Sequence, residues 1–282
     1  MTINRTWRSS AAAVLAVLLT TALAAPAAAH RAGQCVADST MDRCEQWTRI
    51  YNDGTRTPPQ RPDEFARGVA ASTTTVFTVV TSVAMDTGNP YEAGADWVVL
   101  AHDTKTGALR WEARRRSRHY DMPTSITVSA DGKKVYAAGA AYDGYPVGSA
   151  TDSHMVTVAY DAATGAQLWA RTWDNRPDGT DNAKTIAVTR NGKTVVIGGV
   201  TTTASDGLDY VTVAYDTAKG RELWSRTHNG LRPTNGTDSL NGIAVSPNSE
   251  AVFVTGESAG TAEFDADYVT IGYDVRNGRV LW

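Results

Sequence analysis

Features that would narrow the function are scarce in this sequence. Its 282 residues include only two cysteines and ten prolines, and 27 lysines and arginines stand against 30 aspartates and glutamates. Because the basic residues form no block, a nucleic-acid or anionic-membrane partner is not expected. Hydrophobic residues make up 42% of the chain, which argues against disorder and allows a sizeable core.

A membrane-spanning run of about 20 apolar residues is also missing. Near the N-terminus, two arginines precede an apolar stretch at 11–25, and three alanines follow at 27–29. This order of basic, apolar and small residues is typical of a signal peptide. We therefore predict a signal peptide over 1–29, cleaved after Ala29, and a secreted or extracytoplasmic mature protein without a membrane anchor.

The two cysteines, Cys35 and Cys44, both lie in the N-terminal segment 30–60. In an oxidising compartment, a pair at this spacing predicts a disulfide that closes a small loop, with two free thiols as the alternative. No further ligands stand near them for a metal site.

One sequence motif occurs four times. It reads AHDTKTGALRW at 101–111, AYDAATGAQLW at 159–169, AYDTAKGRELW at 214–224 and GYDVRNGRVLW at 272–282. A second motif, Ile-Ala-Val or a close variant, recurs in step with the first, which predicts a repeat architecture. We assign a structural role to the recurring residues Asp103, Gly107, Trp111, Asp161, Gly165, Trp169, Asp216, Gly220, Trp224, Asp274, Gly278 and Trp282.

Each period predicts four short strands. A strand at 186–188 turns at Asn191-Gly192 into one at 195–197, and a long polar loop leads to a third at 210–215 and a fourth around Trp224. Four-stranded units without helices predict an all-β fold, a β-propeller of antiparallel blades. Within 61–282 we place the blades at about 64–118, 121–178, 181–232 and 238–282.

The N-terminal segment contains one further copy of a fourth strand. Residues 45–49, Glu-Gln-Trp-Thr-Arg, align with the strands around Trp169 and Trp224, so we expect Trp47 to act as a closing strand in the last blade. The chain also starts a fourth strand of its own at 279–282. Because two segments compete for one position, we expect the N-terminal part of a ring of seven or eight blades, with a closed four-blade ring as the alternative.

These motifs resemble a known family. The Ala-x-Asp-x-x-Thr-Gly-x-x-x-Trp segments are similar to the tryptophan-docking repeat of pyrroloquinoline-quinone-like propellers, and the whole period is similar to the bacterial seven-bladed propeller repeat. The resemblance covers the chain from about Trp47 to Trp282. It implies a propeller fold, and it extends to dehydrogenases, assembly scaffolds and exported proteins of unknown role.

The resemblance raises quinone-dependent oxidation as one function. Enzymes of this family hold the quinone with adjacent cysteines, a calcium ion bound by acidic and amide side chains, and a stacking tryptophan. This chain has no Cys-Cys pair, and its tryptophans stand at repeat positions, so we expect neither pyrroloquinoline quinone nor calcium. Glu263, Asp265 and Asp267 alternate, but their spacing does not match an EF-hand loop, and we predict no metal site.

Acids recur at two positions of the repeat and therefore predict structural roles. Glu64, Asp121, Asp181 and Asp238 each stand five residues before a branched residue of a first strand. We expect them to accept backbone N–H groups where the strand starts, or to pair with Arg49, Arg171 and Arg226. Asp96, Asp209 and Asp267 precede the third strands and take the same interpretation, with His154 in place of aspartate in one blade.

Residues outside the repeat are better functional candidates. The loops between second and third strands are long and variable, and they lie together on one side of the ring, the loop face. We predict a binding site there for a protein, a peptide or a carbohydrate, and the function of a binding or scaffold module rather than an enzyme. The alternative is a quinone-dependent oxidoreductase or lyase that uses this acidic face. The candidate residues are Asp86, Tyr91, Glu92, Tyr142, Asp143, Tyr145, Asp206, Glu257, Glu263 and Asp265.

Overall fold

A computed structural model shows a chain of β-strands, and no helix occurs in the residues that it describes. None of the described residues forms a helix long and apolar enough to cross a membrane. The predicted signal peptide, Trp47 and both cysteines lie outside the described residues, so these assignments stay predictions. The described residues are 36–38, 41–43, 48–51, 63–83, 95–115, 120–142, 152–177, 179–203, 207–230, 236–260 and 266–282.

A short antiparallel hairpin precedes the repeats, formed by β1 (Val36–Asp38) and β2 (Met41–Arg43). Blade 1 consists of β3 (Asp63–Ala71), β4 (Thr75–Val83), β5 (Ala95–Asp103) and β6 (Leu109–Arg115). Blade 2 consists of β7 (Tyr120–Val128), β8 (Lys134–Tyr142), β9 (Ser153–Asp161) and β10 (Gln167–Trp173). Blade 3 consists of β11 (Asp181–Val188), β12 (Thr194–Thr202), β13 (Leu208–Asp216) and β14 (Glu222–His228). Blade 4 consists of β15 (Ser239–Val245), β16 (Ala251–Ala259) and β17 (Ala266–Asp274).

The predicted all-β fold of four-stranded antiparallel blades is confirmed. Neighbouring strands pair antiparallel within each blade, as β11 to β14 do in strand order. In blade 4, residues 280–282 lie at the start of the fourth-strand position, beside the third strand. Leu281 N–H donates to the Gly272 carbonyl at 2.7 Å, and Gly272 N–H donates to the Trp282 carbonyl at 2.9 Å.

In blades 2 and 3 the second and third strands are buried on both sides because a blade packs on each side. All of β12 except its last residue is buried, for example, which explains why its sequence Thr-Val-Val-Ile-Gly-Gly-Val-Thr-Thr shows no polar alternation. Separate hydrophobic clusters fill the gaps between blades 1 and 2, 2 and 3, and 3 and 4. The core of this fold is therefore a row of inter-blade layers.

The first strands are longer than the sequence pattern predicts. The predicted strand at 186–188 is the end of β11, which starts at Asp181. A β-bulge at Lys184 shifts the register between Ala183 and Thr185, and it breaks the alternation that would have revealed the start of the strand. The first strands of consecutive blades lie side by side.

Candidate functional site

Blades 1 to 3 are each joined to the next blade by the tryptophan of the fourth strand. The indole ring is buried between two blades, and its N–H donates to a backbone carbonyl in the third-to-fourth turn of the next blade. A buried indole N–H needs such an acceptor. The donor and acceptor pairs are Trp111 with Ala162 at 2.9 Å, Trp169 with Thr217 at 3.2 Å, and Trp224 with Val275 at 2.7 Å.

The glycine of the same turn allows the ring to approach. Gly165, Gly220 and Gly278 have φ angles of 74°, 66° and 67°, a left-handed conformation that residues with a side chain rarely adopt. Each of them lies against the tryptophan of the preceding blade. A Cβ on Gly220 would lie 2.6 Å from the ring of Trp169, so the turn requires glycine for two independent reasons.

The aspartate that opens the turn holds its backbone. Asp161 Oδ1 accepts the N–H of Ala163 at 3.0 Å and that of Thr164 at 2.9 Å, as in an Asx turn. The Thr164 hydroxyl and these N–H groups keep the pKa of Asp161 below its ordinary value. Equivalent side-chain bonds are made by Asp103, Asp216 and Asp274.

Arginines two residues after the tryptophan strengthen the same contact. Arg171 Nε donates to the Gly220 carbonyl at 2.7 Å, and Arg226 Nε donates to the Gly278 carbonyl at 2.9 Å. The structure therefore assigns these arginines to the next blade's turn rather than to the acids with which the sequence suggested a pairing. Blade 1 has Ala113 at this position.

The N-terminal segment contacts blade 1 in the same way. Arg49 Nε donates to the Gly107 carbonyl at 2.9 Å, and its Nη2 donates to the Thr106 carbonyl at 2.9 Å. Residues 48–51 thus lie where the fourth strand of a preceding blade would lie. Because Trp47 is outside the described residues, its role as a closing strand stays a prediction.

The acids at the start of the first strands make hydrogen bonds or an ion pair within the fold. Asp181 and Asp238 are each about 1% exposed, and both accept a backbone N–H from the segment that precedes their blade, Asn175 at 2.9 Å and Gly230 at 2.6 Å. Burial raises the pKa of Asp181. Asp121, also buried, pairs with Arg115, and Glu64 accepts a hydrogen bond from Ser82 at 3.1 Å.

The acids at the start of the third strands have a different partner in each blade. Asp96 Oδ2 lies 3.0 Å from Arg114 Nη1 in blade 1. In blade 2 a histidine stands at this position and the acid lies after the fourth strand, with His154 Nδ1 3.6 Å from Asp174 Oδ2. In blade 3 Asp209 accepts a hydrogen bond from the Thr203 hydroxyl, and burial raises the pKa of Asp209. Asp267 in blade 4 differs from these because it is exposed.

Most of the predicted loop-face residues lie outside the described residues. The two that are described do not come together, since Tyr142 ends β8 and Glu257 lies on β16, two blades away. Tyr142 is half-buried, its ring meets Tyr120 edge-on at 6.3 Å, and burial raises its pKa. Glu257 is exposed. The candidates outside the described residues are Asp86, Tyr91, Glu92, Asp143, Tyr145, Asp206, Glu263 and Asp265.

The structure also reveals a row of polar residues that the sequence analysis missed. The register of each first strand shifts once, at a β-bulge, and the bulged residues are Arg67, Thr124, Lys184 and Asn241. All except Thr124 are exposed. Bulges often aim side chains at functional surfaces. The only available indication in the sequence was the break in alternation within each first strand.

The absence of pyrroloquinoline quinone and calcium stays a prediction. A site for them would need a stacking tryptophan; Trp111, Trp169 and Trp224 are buried between blades, whereas Trp282 is 63% exposed. It also needs clustered acidic ligands, and within the described ranges no three His, Cys, Asp or Glu side chains gather as metal ligands would.

Comparison with known proteins gives a family and several structures of similar fold. The family described as outer membrane protein assembly factor BamB matches residues 70–282. No curated protein matches the chain.

Three solved structures of similar fold are distant from this chain in sequence. The quinohemoprotein alcohol dehydrogenase from Comamonas testosteroni is 17% identical over 78% of this chain and 36% of its own, with a TM-score of 0.47. A europium-containing methanol dehydrogenase is 14% identical over 82% of this chain and 45% of its own, with a TM-score of 0.49. BamB from Moraxella catarrhalis is 17% identical over 77% of this chain and 61% of its own, with a TM-score of 0.36. The chain thus spans less than two thirds of the length of each of these proteins.

Proposed function

The chain belongs to the family described as outer membrane protein assembly factor BamB, and from this premise we propose that it is an exported, non-catalytic propeller module that binds another protein on its loop face. The observation that supports this proposal is that the repeated acids and tryptophans make structural contacts. Asp121, Asp181, Asp238 and the three buried tryptophans all serve contacts within or between blades. These acids and tryptophans therefore stabilise the fold. The variable loops are left as the part of the protein that can recognise a partner.

Site-specific photo-crosslinking tests this proposal. A photoreactive amino acid is placed at Tyr142 or Glu257 on the loop face, and at exposed Lys193 in the first-to-second turn of blade 3 as the matched control. We expect one partner protein to be captured in extracytoplasmic extracts from the loop face and not from Lys193. Equal capture from both faces, or capture from neither, contradicts the proposal.

A combined variant then asks whether the loops themselves recognise the partner. Substituting Asp143, Tyr145, Asp206 and Asp265 should abolish capture and leave the thermal melt unchanged, because these residues stand outside the repeat. An unfolded variant would show that the loops are structural.

A dye-reduction assay tests the enzymatic alternative. We expect the mature protein to show no reduction of a dye acceptor with added pyrroloquinoline quinone and calcium, since the chain has no pair of adjacent cysteines. Quinone-dependent turnover that a chelator abolishes would replace the binding module with an oxidoreductase.

A further inference from the structure

The tight turns of the blades lie together at one end of the array, here called the turn face. Antiparallel pairing places both turns of a blade at this end, since Thr75 pairs with Asp103 in blade 1 and Thr194 pairs with Asp216 in blade 3. The loop face is the opposite end. The turn face consists of residues 72–75, 103–110, 129–134, 161–168, 189–194, 216–223, 246–251 and 274–281.

Hydrogen bonds make the turn face a rigid surface. Within blade 2, Ala162 N–H donates to the Lys133 carbonyl at 2.9 Å, which joins the two turns of that blade. Thr217 N–H donates to the Lys193 carbonyl in the same way in blade 3, at 3.1 Å. Between these blades, Lys134 Nζ donates to the Thr217 carbonyl at 3.0 Å. The turn face is therefore a surface of short, mutually bonded turns without long loops.

Basic residues predominate on this surface. The turn face has ten lysines and arginines against seven aspartates and glutamates, whereas the whole chain has a net charge of −3. Blades 1 to 3 supply five exposed basic side chains, and no salt bridge joins any of them to another described residue. These side chains are Lys105, Lys133, Arg190, Lys193 and Lys219.

Most acids of the turn face already accept hydrogen bonds from their own turns. Asp103, Asp131, Asp161, Asp216 and Asp274 each accept at least one backbone N–H group. Their oxygens are therefore directed toward the backbone, and the five unpaired basic side chains are left to act on a partner.

The composition of the turn face indicates which kind of partner fits it. Protein interfaces usually have an apolar centre with aromatic anchors, but the turn face contains no aromatic residue. In blades 1 to 3 its exposed large apolar side chains are Leu109 and Leu168, which lie in fourth strands. An anionic bilayer needs no such anchors, because each lysine or arginine near its surface contributes separately to the attraction.

We propose that the turn face binds the phosphate groups of an anionic phospholipid bilayer by electrostatic attraction. The sequence argues against this partner because its basic residues form no block, but folding brings basic residues of separate repeats to one surface. Acids such as Asp181 and Asp209 lie at the other end of the blades, so the same attraction turns the loop face away from the bilayer. This inference does not rest on the proposed function, because it assumes no protein partner.

Flotation with lipid vesicles tests the proposal. The protein is used without residues 1–29, because a signal peptide would itself bind lipid. Vesicles of phosphatidylglycerol and phosphatidylcholine are compared with vesicles of phosphatidylcholine alone. We expect binding to the first kind only, and we expect it to weaken as salt is added, since salt screens exposed charges. Binding to both kinds of vesicle, or to neither, would overturn the proposal.

Paired charge removal shows whether the position of the basic residues matters. The double variant Lys133→Gln with Lys193→Gln should lower the vesicle partition coefficient roughly 25-fold, because each cation near an anionic surface contributes about fivefold. Arg176→Gln with Lys184→Gln removes the same charge from exposed positions away from the turn face. This control should change binding by less than about twofold at physiological salt. Equal losses would mean that net charge alone governs binding, and the turn face would then have no special role.

Lysine acetylation read by mass spectrometry identifies the face in contact. On anionic vesicles, Lys105, Lys133, Lys193 and Lys219 should lose most of their acetylation, whereas Lys184 on the first strand of blade 3 should keep it. Equal protection of Lys184 would contradict binding through the turn face.

Poly-glutamate serves as a soluble acidic polypeptide in the same experiment. If it protects the turn-face lysines and anionic vesicles do not, the turn face binds an acidic protein and the bilayer proposal fails. The loop-face cross-links are measured separately, so the proposed function can stand when the bilayer proposal fails.

Discussion

Trp224 and Trp282 occupy the same position in successive repeats but have opposite surroundings. Trp224 is 5% exposed between blades 3 and 4 and donates its N–H to Val275. Trp282 is 63% exposed and stacks on Phe253 within its own blade, with ring centroids 5.6 Å apart. The motif alone does not bury the ring, because the turn of a following blade is also needed. Stability in this fold is therefore a property of blade interfaces.

The strands beside the two tryptophans differ in the same way. Ala138 and Ala140 in blade 2 are buried against blade 3, while Thr255 and Glu257 stand at the same positions in blade 4 and are exposed. The side of blade 4 that faces away from blade 3 is therefore more polar than the matching side of blade 2, which packs on blade 3.

The largest effect is expected when a buried and an exposed tryptophan are each replaced by alanine. Trp169→Ala should lower the free energy of unfolding by about 3 to 5 kcal/mol, because it empties a packed layer between blades. In the polypeptide of residues 1–282, Trp282→Ala should cost less than about 1 kcal/mol, since most of its ring is exposed there. Urea unfolding followed by circular dichroism measures both. Similar losses from the two variants would show that burial by the next blade is not the source of the stability.

Two turn glycines form a matched pair of substitutions, for which we expect smaller losses of stability than for Trp169→Ala. Gly220→Ala should cost about 2 to 4 kcal/mol, because the new Cβ meets the Trp169 ring in addition to the strain of a positive φ. Gly192 has a φ of 66° but no atom within 4 Å of its Cβ position. Gly192→Ala should therefore cost about 1 kcal/mol, from backbone strain alone. Equal melting shifts for the two variants would contradict the ring contact.

How much was predictable from sequence depends on whether a residue repeats. The tryptophan, aspartate and glycine of each turn recur with one period, so the blades follow from the sequence pattern. The acceptors of Arg171 and Arg226 are backbone carbonyls, which leave no trace in residue identity. The bulged residues were missed because a bulge interrupts the alternation by which strands are found.

The candidate site was harder to predict than the fold for a related reason. Loop-face residues differ from blade to blade, so no copy can be checked against another. The exposed state of Asp267 likewise could not be inferred from sequence, because its aligned partner Asp209 is buried. Only the packing of neighbouring blades distinguishes the two.

The arginine contact can be removed from one interface and added to another. Arg171→Ala should lower stability by about 1 kcal/mol, since it removes hydrogen bonds from a charged donor to carbonyls at the surface. Ala113→Arg places the same side chain at the interface of blades 1 and 2, where the carbonyl of Gly165 corresponds to that of Gly220, and should raise stability by about 0.5 to 1 kcal/mol. Urea unfolding compares the two. If the second variant is destabilised, the interfaces are less alike than their turns indicate.

The smallest expected effect concerns the charge of the turn aspartate. Asp161→Asn keeps an oxygen acceptor for Ala163 and Thr164 but removes the negative charge. The folded protein lowers the pKa of Asp161, so the charged form stabilises the fold above the ordinary aspartate pKa of about 4. This stabilisation is lost as the pH falls through the lowered pKa. The variant should be less stable than the unaltered protein by under about 1 kcal/mol near neutral pH. The difference should shrink in urea titrations as the pH falls below about 4. A difference that does not change with pH would mean that Asp161 acts through its hydrogen-bond geometry alone, and the interface turns would then depend on shape and not on charge.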